Sequence, residues 1–350
     1  MVFQLVKLGE DTIFDHVFDR YTELEKNFDN LKQDLGIEDR EKRELIIDID
    51  PPEQLKVTTK MKRKRKTKQN GHIAQSSAKL DSYTLNIEQS ITSLYSSKDN
   101  ANSTTGYVVW STTPFFLKWL LYSSAAEPLR TPMDVSTVEG NTSGTIRVPP
   151  LLGSNIGGRD KIGVIEMGTG IAGILPVTLG NYADTYICTD QKGIIPRLKS
   201  NIRRNLEQLN RRKCVSHALN IDEVEEYTQQ NNVEDRVDGL RLEIAALDWE
   251  NFDTNVLQAH FEGINTIYIL AMDVIYNEYL IDPFLKCLTT IRSHFQKTPA
   301  VKIQCLIGIH LRSHDILASF LEQALIKYNL PIHYVADETL DSSRFCIYFI

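Results

Sequence analysis

The spacing of apolar residues changes along the chain and divides it into two parts near residue 80. In the first part, apolar side chains fall on one stripe at helical spacing and predict an amphipathic helix; they are Ile13, Phe14, Val17, Phe18 and Tyr21. The run LIIDID at 45–50 stops at two prolines and predicts a short strand. Residues 1–80 are therefore predicted to form a helix-and-strand extension.

From 81 to 350, strand and helix patterns alternate. A turn and an apolar helix are predicted within 104–124, and an irregular connector rich in Pro, Gly and Thr follows at 127–159. Beyond it, five apolar runs predict strands with helices between them: 161–168, 185–190, 241–249, 265–276 and 302–312. Such alternation predicts a mostly parallel sheet with helices on both faces. Two final strand patterns, at 331–336 and 343–350, predict an antiparallel hairpin at the sheet edge.

Composition narrows the class of protein without assigning a function. A net charge of −7 over 350 residues argues against nucleic-acid binding by the whole surface, because such domains are usually basic. No apolar run approaches the roughly 20 residues that span a bilayer, and acidic residues come too early for a secretion signal. The cysteines form no C-x-x-C pair, which predicts reduced, buried thiols in the cytosol or nucleus. They are Cys188, Cys214, Cys287, Cys305 and Cys346.

Two polar segments interrupt the pattern. In the block KMKRKRKTK, Lys60 to Lys68, seven of nine residues are basic, so self-repulsion predicts a disordered loop within about 53–80. Its plain interpretation is a solvated insertion; the functional alternatives are a nuclear-import signal or contact with RNA. An acidic insertion is predicted near 220–240.

A glycine loop follows the first strand of the alternating part. Gly168-x-Gly170-x-x-Gly173 matches the dinucleotide fingerprint, and Asp190 follows at about the spacing of a ribose-binding acid. The simplest interpretation is an NAD-binding oxidoreductase. Glu166, however, would repel a pyrophosphate at the strand end, whereas it suits a ligand that carries an ammonium and a sulfonium.

Other strand ends supply groups for an adenosine. Asp190 ends its strand, where it can accept both hydroxyls of a ribose, and Asp248-Trp249 follows the next strand, where an acid and a flat ring can address an adenine. Each residue alone could be a cap or a core residue. Together they line the crevice at which open α/β sheets bind ligands, and they favour S-adenosylmethionine over NAD.

These motifs, in order, resemble the seven-stranded protein-lysine methyltransferases. The pattern E-x-G-x-G, a strand-end Asp, D-W and D-x-x-Y (Asp273 to Tyr276) follows an upstream TGYVVW in which Trp110 would close over the cofactor. The resemblance covers about 81–350 and implies a seven-stranded Rossmann-like sheet. One departure concerns Gly173, which falls one residue later than the third glycine of the usual G-x-G-x-G.

The resemblance also implies roles for individual residues. Asp273 would hydrogen-bond the incoming lysine amine or order the loop that holds it, and Tyr276 and Tyr279 would form aromatic walls for the lysine. His310 and His314, four residues apart, are interpreted as a cap and a surface residue, so no metal is expected. The residues expected to bind S-adenosylmethionine are Trp110, Glu166, Met167, Gly168, Gly170, Asp190, Asp248, Trp249 and Met272.

A closer resemblance, to a fungal branch whose members methylate ribosomal proteins, extends over nearly the whole chain. It implies a lysine of a large-subunit ribosomal protein as the substrate, which composition and spacing could not have shown. The alternatives are a methyltransferase for another protein or for RNA, and a binding module that has lost activity. A cytoplasmic location is expected, with a nuclear one as the alternative that the basic run at 60–68 offers. The sequence leaves the oligomeric state open, because no exposed apolar stripe is evident, and a monomer is assumed.

Overall fold

A computed structural model describes most of the chain. The described residues are 4–28, 36–53, 55, 81–94, 105–140, 142–152, 160–221, 237–297 and 300–350. The basic block at 60–68 and most of the predicted acidic insertion, at 222–236, lie outside the described residues.

Strands and helices alternate through the second half of the described chain, as predicted. The strands are β1 Gln4–Lys7, β2 Glu44–Ile49, β3 Tyr83–Glu88, β4 Met133–Glu139, β5 Thr142–Val148, β6 Ile162–Met167, β7 Thr185–Asp190, β8 Arg212–Val215, β9 Val237–Ala246, β10 Thr266–Met272, β11 Lys302–His310, β12 His333–Ala336 and β13 Phe345–Phe349. The helices are α1 Ile13–Lys26, α2 Ile91–Leu94, α3 Thr112–Tyr122, α4 Ile174–Leu179, α5 Ile195–Arg204, α6 Asn255–Gln258, α7 Glu278–Gln296, α8 His314–Glu322 and α9 Glu338–Asp341.

The main sheet has the order β5-β4-β1-β12-β13-β11-β10-β6-β7-β9-β8, and β2 pairs with β3 in a separate two-stranded sheet. Its centre, from β11 to β8, is parallel, which confirms the α/β class. The predicted count of seven strands is too low, because β1, β4, β5 and β8 extend the sheet to eleven within the described residues. The pairing of β12 with β13 is antiparallel as predicted, but β1, β4 and β5 lie beyond β12, so this hairpin is not at the edge.

The predicted connector at 127–159 contains regular structure. Strands β4 and β5 pair in antiparallel register from Met133 opposite Val148 to Glu139 opposite Thr142. Gly140, with φ of +55°, occupies the turn, where a residue without Cβ adopts the left-handed conformation at little cost. The turn residues predicted the loop, but the alternating Val, Ser and Thr residues around it form a hairpin.

Helix α1 forms where its apolar spacing predicted it, and Ile13 and Val17 of the predicted stripe are buried, but the rest of the buried face is shifted. Phe14 and Phe18 are 76% and 60% exposed, whereas the polar residues His16 and Arg20 are buried. The guanidinium of Arg20 donates to the carbonyl of Leu340 at 2.9 Å, and the ring of His16 lies 3.0 Å from the hydroxyl of Tyr348. These hydrogen bonds satisfy the buried polar groups, so the helix turns them inward and leaves the two phenylalanines outside.

Apolar side chains cover both faces of the sheet. One core packs α3, α4, α5 and the β2–β3 sheet on one face, and the other packs α1, α7 and α8 on the opposite face. All five cysteines are free and buried, as predicted. Within the described residues, no helix is long and apolar enough to cross a membrane.

Candidate active site

A cavity of about 670 Å³ opens at the carboxyl ends of β6, β7, β9 and β10. This is the position at which open parallel sheets bind ligands, because the loops there diverge. Its walls come from the segment before α3, the glycine loop, the loop after β9 and the loop after β10. The lining residues that the sequence predicted are Trp110, Gly168, Gly170, Asp190, Asp248, Trp249, Met272, Asp273 and Tyr276.

The glycine loop forms one wall of the cavity. Gly168 has a φ of +73°, and a Cβ there would lie 2.7 Å from a methyl of Val274 and 3.3 Å from the Trp249 ring. A larger residue would have to displace the Val274 side chain and press against that ring. Gly173 caps α4, and a Cβ there would lie 2.6 Å from Ile202 of α5. The third glycine therefore serves helix packing and does not line the cavity.

Asp190 lies at the end of β7, partly exposed at the cavity wall. The backbone amides of Gly170 and Gln191 each donate to one of its carboxylate oxygens at 2.7 Å. Burial raises the pKa of Asp190 to about 6, although these two amides act in the opposite direction. The carboxylate is thus held in one orientation while retaining lone pairs for further donors.

Trp249 supplies a flat wall beside the glycine loop. Its ring meets Phe284 of α7 edge to face, with 5.2 Å between the ring centroids. The indole N–H is buried and has no hydrogen-bond partner among the described residues. Asp248 is exposed beside it at the cavity rim.

Glu166 and Met167 do not line the cavity, although both were expected to bind a cofactor. Glu166 is 3% exposed, and the hydroxyl of Tyr186 donates to it at 2.8 Å beneath the glycine loop. Burial raises its pKa to about 8, so the side chain favours the neutral form at pH 7. Met167 points to the opposite face of the sheet and packs in the core with α7.

Trp110 and Tyr276 approach the cavity from different loops and are joined through Thr105. The indole N–H of Trp110 donates to the Thr105 carbonyl at 2.9 Å, and the hydroxyls of Thr105 and Tyr276 lie 2.7 Å apart. Tyr276 lines the cavity as predicted. Tyr279 is 86% exposed at the start of α7 and does not line it.

Asp273 follows β10 with a φ of +62°, a left-handed conformation that costs free energy for a residue with Cβ. Its carboxylate is buried, and both oxygens accept hydrogen bonds from the guanidinium of Arg312, at 2.6 and 2.5 Å. The same guanidinium lies over the ring of Trp110, 4.8 Å from its centroid. Of the two roles expected of Asp273, this geometry favours ordering the loop over binding the amine.

Arg312 lies beside the site, against Asp273 and Trp110, and the sequence patterns did not single it out. It follows β11, the strand next to β10, so a basic residue at this strand end faces the acid at the neighbouring one. The basic residue at the end of the neighbouring strand was the feature of the sequence from which Arg312 could have been identified. His310 is buried and the side chain of His314 is largely exposed, and the described residues contain no group of three potential metal ligands.

Comparison with known proteins identifies the family, although no family model matches the chain. The chain is 43% identical over 366 residues to ribosomal lysine N-methyltransferase 5 of Saccharomyces cerevisiae strain AWRI796, with all of both chains covered. The same enzyme of strains S288c and Lalvin EC1118 is 43% and 42% identical, again over the full length of both chains. At this identity and coverage, the chain belongs to the ribosomal lysine N-methyltransferase 5 family of lysine methyltransferases.

Proposed function

We propose that the protein transfers methyl groups from S-adenosylmethionine to a lysine of a large-subunit ribosomal protein. The observation that carries the cofactor assignment is Asp190, whose carboxylate is fixed by two backbone amides at the wall of a cavity beside the glycine loop. The name of the full-length relatives supports a ribosomal substrate.

The residues of the cavity fit an adenosine-bearing cofactor. Asp190 would accept the ribose hydroxyls, and the ring of Trp249 would provide a flat face for the adenine. Gly168 and Gly170 would admit the ligand close to the backbone, with Met272 and Trp110 at its sides. When bound, S-adenosylmethionine would supply an electrophilic methyl group on a sulfonium.

The chain's own residues would contribute binding and orientation of the lysine. Free lysine has a pKa near 10.4, so the neutral amine costs about 4–5 kcal/mol at pH 7. A partly dry pocket lowers that pKa, because burial disfavours the ammonium. Tyr276 would flank the lysine stem, and the Asp273–Arg312 pair would hold the loop that carries Tyr276. Orientation of the amine toward the methyl group then supplies much of the rate.

The test is methyl transfer to ribosomal proteins. Purified protein, radiolabelled S-adenosylmethionine and ribosomal proteins from cells that lack the enzyme are incubated, with Asp190→Ala as the matched inactive variant. Label in one large-subunit protein, absent with the variant, is the expected result, and tryptic mapping then names the lysine. Label in RNA or in non-ribosomal proteins would redirect the substrate assignment.

Two further outcomes decide the remaining alternatives. Binding of a nicotinamide nucleotide in place of S-adenosylmethionine would support the oxidoreductase interpretation of the glycine fingerprint. Cofactor binding without transfer to any substrate would indicate a binding module.

Fractionation of cells would test the proposed cytoplasmic location, and nuclear accumulation that depends on Lys60–Lys68 would support the import alternative.

A further inference from the structure

We infer that Arg312 is a positioning residue of this active site, supported by the segment Gly36–Glu38 of the N-terminal extension. The inference rests on the proposed function. It adds a role for the N-terminal extension, which contains neither the glycine loop nor the D-x-x-Y motif.

Arg312 joins two loops that border the cavity. Its two terminal nitrogens bind the two oxygens of Asp273, and the plane of the same group covers Trp110. A guanidinium can do both at once because it is a planar fork that binds a carboxylate through its edge and an aromatic ring through its face. A change at Arg312 therefore acts on the Tyr276 loop and on Trp110 together.

The Asp273 contact bears on a strained backbone. With φ at +62°, this residue keeps its conformation only if the surroundings fix it. The amide of Asp273 donates to the Gly308 carbonyl of β11 at 2.7 Å, and the carboxylate is clamped by Arg312 from the end of that same strand. Strand β11 thus sets the direction in which the chain leaves β10 toward Tyr276.

The N-terminal extension packs behind this arrangement. The backbone amide of Ser111 donates to the carbonyl of Gly36 at 2.7 Å, and the backbone amide of Glu38 donates to the carbonyl of Val109 at 2.9 Å. Residues 36–38 therefore pair with the segment that carries Trp110. Gly36 has a φ of +87°, and a Cβ there would lie 2.9 Å from a terminal nitrogen of Arg312 and 3.2 Å from the ring of His310. The backbone of the extension therefore abuts the guanidinium directly.

The first experiment uses Arg312→Lys, which keeps the charge but removes the fork and the flat face. We expect the turnover number to fall at least tenfold and the dissociation constant of S-adenosylmethionine to rise about fivefold. The matched control is Arg212→Lys, in a second buried pair with Asp184 at 2.8 Å, near the amino ends of β7 and β8. It should lower the unfolding temperature without either functional change.

A double-mutant cycle separates positioning from general destabilisation. If Arg312 acts through Asp273, the turnover of Arg312→Lys/Asp273→Asn should be no lower than that of the worse single variant, because both changes remove one interaction. Losses that multiply would overturn the inference, as would wild-type turnover and affinity in Arg312→Lys.

A milder variant keeps the test decisive if Arg312→Lys does not fold. Gly36→Ala should reproduce both functional losses, because its added methyl group would displace the guanidinium of Arg312. Gly263→Ala is its control, because Gly263 has a similar φ of +74° but nothing within 4 Å of its added Cβ. Equal behaviour of the two alanine variants would overturn the role of the extension. A wild-type chain that bound no S-adenosylmethionine would overturn the proposed function and this inference with it, whereas an active wild type with unaffected variants would overturn the inference alone.

Discussion

The backbone amide of Gly170 donates to Oδ2 of Asp190 at 2.7 Å and so ties the glycine loop to the end of β7. The second oxygen accepts from the amide of Gln191 at the same distance. The two amides fix the carboxylate before any ligand arrives, so binding requires little further ordering of this side chain. The loop after β6 and the acid after β7 therefore form one unit.

Replacement of Asp190 by alanine should weaken S-adenosylmethionine binding by well over tenfold. The expected loss is that of hydrogen bonds to a charged group, roughly 1.5–3 kcal/mol each. Titration calorimetry measures it directly, with Glu262→Ala as a control at an exposed carboxylate outside the cavity. Unchanged affinity in Asp190→Ala would remove this residue from the site.

Cofactor affinity should also depend on pH through Asp190. Its pKa of about 6 lies above the ordinary value of 3.8, so the carboxylate proposed to accept the ribose hydroxyls is lost as the pH falls through 6. We expect affinity to be constant above about pH 7 and to fall up to tenfold per pH unit well below 6. Affinity that is flat from pH 7 to pH 5 would contradict this.

The free energy of unfolding should change with pH in the opposite direction. Because the pKa of Asp190 is raised in the folded state, the protonated form stabilises the fold, and this contribution is lost as the pH rises from 3.8 to about 6.

Glu166→Gln distinguishes a structural carboxyl from a cofactor ligand. Because Glu166 is buried beneath the glycine loop, we expect the glutamine variant to bind S-adenosylmethionine with nearly unchanged affinity. The wild type should lose stability as the pH rises from 4.5 to about 8, since its folded-state pKa is raised over that interval. The difference in unfolding temperature between variant and wild type should therefore grow up to pH 8 and then level off. A large loss of affinity would place Glu166 in contact with the cofactor.

Asp273→Asn should reduce turnover more than cofactor affinity. The neutral amide keeps the size of the side chain but loses the charged, two-point pairing with Arg312 that holds the loop before Tyr276. Single-turnover rates with saturating cofactor, beside calorimetry, measure the two effects separately. Asp184→Asn is the matched control, because it weakens a buried ion pair that does not line the cavity. Equal losses of rate and affinity in Asp273→Asn would indicate a purely structural role.

Deletion of Lys60 to Lys68 should leave methylation of a short peptide intact and weaken capture of a whole ribosomal protein or its RNA complex. The expected cause is the loss of seven positive charges that would release counterions on binding. A salt titration checks it: the slope of log affinity against log salt should become shallower. A variant with glutamines in place of the basic residues controls for segment length, and an unchanged slope would leave the block as a solvated insertion.

The sequence predicted those residues of the site that each lie in a motif at the end of a strand. Asp190 is the last residue of β7, and Trp249 and Tyr276 lie in the loops that follow β9 and β10; all three lie at the cavity because parallel strands end at the same edge. The pattern could not decide which face of β6 each residue occupies. Glu166 and Met167 alternate across the sheet, and neither face is the cavity.

The spacing of apolar residues could not predict contacts between segments that are far apart in the sequence. The pairing of Asp273 with Arg312 depends on the register of β10 against β11, in which Met272 lies opposite Gly308. The contact of Gly36 with Arg312 depends on a loop that no periodicity describes. The sheet was underestimated for a similar reason: β1 is only four residues long, and its place beside β12 is fixed by pairing across the whole chain.

That placement of β1 has a consequence for biosynthesis. Leu5 pairs opposite Val335, and Arg20 binds a carbonyl 320 residues further along, so the second partner of each pair is translated long after the first. Closing so long a loop costs little extra stability but delays folding. Until β12 is made, β1 has one neighbour fewer and presents an open edge to other chains. An enzyme proposed to modify ribosomal proteins would thus complete its own sheet only after β12 and β13 have been translated.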